Sequence, residues 1–86
     1  MADFTSIIWD DAGDDGNVAH IAEHDLEPED VNHVLQNPSD SGFSHSSGLP
    51  CVFGYTPDGD YIIVVYERID GTTVYPVTAY DVDEPG

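Results

Sequence analysis

Lysine is missing from this 86-residue sequence, and arginine occurs once, as Arg68. Against that single base stand 18 aspartates and glutamates, for a formal net charge of −17. A surface of that sign repels RNA, DNA and anionic membranes. Cysteine is nearly missing as well. Cys51 alone excludes an internal disulfide framework and a multi-cysteine zinc site, and it suits a reducing cytoplasm. No apolar run approaches the roughly 20 residues that span a bilayer, so no membrane partner is expected. The first residues lack the positive charge and following apolar stretch of a secretion signal. There is no repeat and no long linker, so residues 1–86 read as a single domain with a frayed acidic tail at 83–86.

What is there in quantity is acid. The carboxylates are spread along the chain rather than gathered into a tail. Three readings are open: adaptation to a salt-rich interior, a binding surface for a basic partner, or cation binding. In the first, mobile cations screen the self-repulsion. That reading predicts a melting temperature that climbs steeply with KCl, and a flat response rejects it.

The apolar pattern changes period once along the chain. "FTSIIW" (residues 4–9) reads as a strand, and "DDAGDDGN" (10–17) as a loop. Val18, Ile21 and Ala22 recur at i, i+3 and i+4, one stripe of a helix over about 15–24. Glu27-Pro28 opens a second helix, with Glu29 and Asp30 in the first turn, where the helix dipole favours acids. Val31, Val34 and Leu35 form its stripe, and Asn37-Pro38 ends it. From there the chain turns to β. "SGFSHSS" (41–47) is a short polar segment open to either a strand or a loop. "PCVFGYT" (50–56) is a better strand, "PDGD" a tight turn, and "YIIVVYER" (61–68) a strand buried on both faces. "DGT" marks a second hairpin and "TVYPVTAYDV" (73–82) a last strand. Pro76 has no N–H, so an edge or a bulge is expected there. The order is β-α-α-β-β-β-β: an α+β fold with two helices on one face of a twisted antiparallel sheet.

Several residues carry possible chemistry, each with a plainer alternative. His20 and His24 stand at i and i+4 on the expected helix, with His33 on the next. Catalytic zinc wants at least three protein ligands, and the H-E-x-x-H order is not met, because position 21 is Ile. The plainer reading puts one histidine at the helix C-terminus and the other on the surface. A calcium loop beginning at Asp11 fits at Asp15 and Gly16 but fails at Gly13 and Ala22. No cofactor or metal is therefore expected. "SHSSGLP" sets His45 beside hydroxyls but offers no third group to orient a base. Arg68 reads either as a surface charge paired with Glu67 or Asp70, or as a phosphate-binding guanidinium at the end of the best strand. Strict alternation sets Tyr66 and Arg68 on one face of their strand. It sets Tyr80 on the opposite face from Tyr75 and Val77.

"IIWD" followed by an Asn, "NVAHIAEHDLEPEDVNHVLQNP", "FGYTPDGDYIIVVYE" and "VYPVTAYDV" together resemble the BrnT-type toxins of bacterial type II toxin–antitoxin pairs. Their wider kin are RelE-like ribonucleases. The likeness runs from about Ile7 to Val82. It implies two helices against a twisted sheet, metal-independent RNA cleavage in the cytoplasm, and a cognate antitoxin as partner, with RNA as substrate. It makes the stretch around His24 a joint between two helices, with Asp25 where the family has glycine. It makes Arg68 the source of positive charge and His45 or Glu67 the source of proton chemistry. Tyr80 stands where the family carries an arginine, and is the fourth candidate for the site. The alternative function is a small acidic module that binds a basic protein, as a nucleic-acid mimic would.

Overall fold

The computed structural model describes residues 6–10, 16–45 and 47–84. Seven elements follow one another: β1 (Ser6–Ile7), α1 (Asn17–Ala22), α2 (Pro28–Gln36), β2 (Asp40–Phe43), β3 (Pro50–Tyr55), β4 (Tyr61–Arg68) and β5 (Thr73–Asp81). The order is the expected β-α-α-β-β-β-β. The five strands form one sheet in the order β1-β5-β4-β3-β2. Both tight turns make hairpins, so β3, β4 and β5 are antiparallel neighbours. The sheet is mixed rather than wholly antiparallel, because β1 lies parallel to β5, with Ser6 beside Thr73 and Ile7 beside Val74. The polar segment contributes a short edge strand, Asp40–Phe43, paired with β3.

β4 is the middle strand, and its first six residues are all buried. Ile62, Val64 and Tyr66 pack on the helix side with Ile21, Leu26, Val31, Val34, Leu35, Val52, Val74 and Ala79. This is the main core. Gly54 of β3 permits the close seating of α2, because a Cβ there would stand 3.1 Å from Val34 Cγ1. The opposite face holds a thinner cluster of Cys51, Ile63 and Val65, edged by Leu49, Phe53 and Val82.

The bulge expected near Pro76 is present, and it has a consequence. Thr78 pairs with Val65 and Pro76 with Tyr66, which leaves Val77 as the extra residue. An extra residue reverses the sense of alternation beyond it. Tyr80 therefore falls on the same side as Tyr75, not the opposite side.

α1 is shorter than the periodicity suggested, ending at Ala22. Its end is well defined. The Leu26 N–H donates to the Ile21 carbonyl at 3.1 Å and the Asp25 N–H to the Ala22 carbonyl at 3.0 Å. These are the paired bonds of a Schellman ending, with Asp25 in the left-handed position at φ 61°. Leu26 and Ile21 then meet in the core. At the start of α2, Asp30 Oδ2 accepts from the Glu27 N–H at 3.0 Å. That bond gives Glu27-Pro28 the function expected of it.

Candidate functional site

Asn17 holds the joint between the N-terminal strand and the rest. Its side chain is 2% exposed. Oδ1 accepts from the Asp10 N–H at 2.7 Å, and Nδ2 donates to the carbonyls of Ile8 and Pro76, each at 2.9 Å. One amide thus ties the segment after β1 to the bulge of β5. Gly16 stands beside it for a steric reason: a Cβ there would meet the Asp10 carbonyl oxygen at 2.2 Å. Trp9 adds a second tie, its indole N–H donating to Asn32 Oδ1 on α2 at 3.0 Å. This side of the molecule is scaffold.

Of the four candidate catalytic residues, Arg68, Glu67 and His45 stand at one end of the sheet and Tyr80 at the other. Arg68 and Glu67 are exposed at the end of β4. Arg68 Nη1 donates to the Gly71 carbonyl at 3.2 Å, across the turn into β5. Asp70 organises that same turn, its Oδ1 accepting from the Thr72 and Thr73 N–H groups at 2.9 Å each. Those bonds, Thr72's first, hold the Asp70 carboxyl below the usual carboxylate range. His45 lies exposed in the β2–β3 loop. Cys51 pairs with Val65, so this loop stands at the same end of the sheet as Arg68.

Tyr80 is at the other end. It pairs with Ile63 while Arg68 pairs with Val74, so five steps of β4 separate them. That is roughly 17 Å at about 3.4 Å per residue. The Tyr80 ring instead packs against His24, with centroids 5.8 Å apart and planes tilted by 48°. His24 lies beyond the end of α1, so it does not continue the helix face of His20 as the i, i+4 spacing suggested. Among the described residues no three His, Cys, Asp or Glu side chains gather around a common point, and no pocket is present. Of the calcium-loop candidates, Asp11, Gly13 and Asp15 fall outside the described residues. The Cys51 thiol is pushed up, by burial first and then by Asp40, with a Gly42 backbone bond acting against them. It is held as a thiol, which makes it a poor nucleophile.

The feature that residue-by-residue reading missed lies on the open face of the sheet. Tyr55 pairs with Tyr61 across the β3–β4 hairpin, and Phe53 pairs with Ile63. Phe53 stacks on Tyr61 with centroids 6.2 Å apart and planes 13° from parallel, and Tyr55 tilts onto Tyr61 at 4.8 Å. The signal was present: "YTPDGDY" sets one tyrosine on each side of a tight turn, which places them opposite each other.

Comparison with known proteins finds no matching family model, no matching curated protein and no matching solved structure.

Proposed function

We propose that this chain is a non-catalytic domain of BrnT-like type, which works by binding a basic protein. On the resemblance, that partner is a cognate antitoxin. The charge of the chain and the distance of Tyr80 from the other three candidates support this reading. RNA cleavage by the RNA's own 2′-hydroxyl needs an acid, a base and positive charge around one phosphate. Tyr80 is roughly 17 Å along the sheet from Arg68, and Arg68 is bonded to its own turn. A formal charge of −17 also opposes the approach of any phosphate backbone. The same charge attracts a basic protein and speeds its association. A basic nucleic-acid-binding protein meets that description, with this domain acting as the mimic.

A second reading keeps the ribonuclease. It is favoured by one observation: Glu67, Arg68 and the loop carrying His45 share one end of the sheet. Induced expression in a bacterial host separates the two. Wild type is compared with Arg68→Ala, with growth, RNA integrity and the folded state of the purified proteins all measured. Normal growth with intact RNA and folded protein is expected. Arrest by the wild type with relief by Arg68→Ala overturns the non-catalytic reading.

A further inference from the structure

The open face of the sheet names the surface through which such binding would work, and this inference rests on the non-catalytic reading above. Strand register sorts its side chains into rows. Asp40, Phe53, Ile63 and Tyr80 stand in one row across β2, β3, β4 and β5. Tyr55 and Tyr61 form the next, closed by the Val82 N–H donating to the Tyr61 carbonyl at 3.1 Å. Phe53, Tyr61 and Tyr55 are in ring contact one after another. Tyr55 is 43% exposed and Phe53 half-buried, while Tyr61 and Ile63 are buried. The Tyr80 ring is turned to His24 and stands outside this array. Carboxylates stand at both margins. Asp40 is beside Phe53 and close enough to act on Cys51. At the other margin the Val82–Tyr61 bond brings the chain after β5, with Glu84, alongside the Tyr55–Tyr61 pair, and the Tyr55 phenol is pushed up by desolvation first and then by Glu84 and Tyr61.

The chemistry of this face is selective. An aromatic face carries negative quadrupole charge, and a carboxylate beside it adds a full charge. A flat cation that can lie on a ring while pairing with an oxygen fits both. Guanidinium does this, whereas a lysine ammonium is a compact, strongly hydrated point charge. A second copy of this chain is a poor occupant. It would bring another −17 to the interface and only one arginine. Charge complementarity therefore selects a basic partner.

We propose that the open sheet face, centred on Phe53, Tyr55 and Tyr61 and bounded by Asp40 and Glu84, docks an arginine-bearing segment of a basic protein. The guanidinium lies over Tyr55 and pairs with Glu84 at the margin. Neighbouring apolar atoms of the segment cover Phe53.

The test uses the full chain, isotope-labelled, titrated with an oligo-arginine peptide and with an oligo-lysine peptide of equal length, at physiological ionic strength. Amide shifts are expected to concentrate in β3, β4 and residues 82–84, with the arginine peptide binding the more tightly. Tyr55→Leu keeps an apolar side chain on Tyr61 and leaves the net charge unchanged. It is expected to weaken arginine binding roughly two- to five-fold and to leave lysine binding as it was. Glu84→Gln lies outside every strand, so its folding is not in question, and it is expected to weaken binding of both peptides. Equal binding of the two peptides, with shifts spread over the helices and no effect of Tyr55→Leu, overturns this surface but leaves the basic-partner reading standing. Failure of both peptides to bind overturns the surface and that reading together.

Discussion

Val64 and Val65 are neighbours in β4 and face opposite ways. Val64 is fully buried beneath the two helices. Val65 is 4% exposed, yet among the described residues no helix crosses its side of the sheet. Leu49, Phe53 and Val82 pack against the small cluster it forms with Cys51 and Ile63. The helix side spends its area on a deep core with a buried hydrogen-bonded amide. The other side leaves Tyr55 exposed and Phe53 half-buried, with acids at its margins. Similar burial at two adjacent valines thus hides a difference in depth. The helix side maintains the fold, and the other side remains free to meet something.

Five substitutions probe this contrast. The largest effect is expected from Asn17→Ala. It leaves two carbonyls and one N–H without their partner, each costing about 1 kcal/mol or more, so a loss of roughly 3 kcal/mol is expected. A urea midpoint shift far below that would show that Asn17 is not the joint. Next comes the direct comparison. Val64→Ala is expected to cost about 2.5 kcal/mol, because the deep core cannot collapse around the lost methyls. Val65→Ala is expected to cost about 1 kcal/mol, since a thin cluster relaxes more readily. Equal costs in urea unfolding would mean the two sides are equally consolidated, and the contrast would fail.

Asp25→Gly is expected to act in the other direction. Glycine occupies the left-handed position without a Cβ penalty, so the protein should gain about 1 kcal/mol in thermal unfolding. The smallest effect belongs to Asp70, at the turn beside Arg68. Its folded pKa is lowered, so its contribution is present above the ordinary carboxylate range and is lost as pH falls through the lowered folded value. The stability gap between wild type and Asp70→Ala should be open at neutral pH and should narrow in acid. A gap that stays constant with pH would detach those turn bonds from stability.

The succession of elements was legible because it is written locally. Turn sequences at "PDGD" and "DGT" and the break at "DLEP" each act over a few residues. An irregularity at Pro76 was legible for the same reason, whereas Asp25 as the turning residue of the helix joint came from the resemblance rather than from local pattern. What was not legible depends on pairing between distant segments. Nothing in Ser6 and Ile7 announces a parallel partner at Thr73 and Val74. The side on which Tyr80 falls follows from one extra residue at Val77, which alternation alone reads the wrong way. For the candidate site, the place of Arg68 at the end of β4 could be read directly. Its separation from Tyr80 could not, because that depends on the register of two strands. The aromatic cluster lay between these cases: Tyr55 opposite Tyr61 follows from the turn, whereas Asp40 beside Phe53 needs the register of a polar edge strand.

The parallel pairing of β1 with β5 also bears on the order of events during synthesis. Ser6 leaves the ribosome well before its partner Thr73, which follows 67 positions later. The helices and the β3–β4 hairpin can form from nearby residues while the chain is still growing, whereas the N-terminal strand must wait. Asn17 waits with it, since one of its two carbonyl partners belongs to Pro76. Closing so long a loop is slow and uncompensated until it is complete. The final locking of this domain is therefore its last step, and until β5 arrives the N-terminal strand and a polar amide wait for their partners.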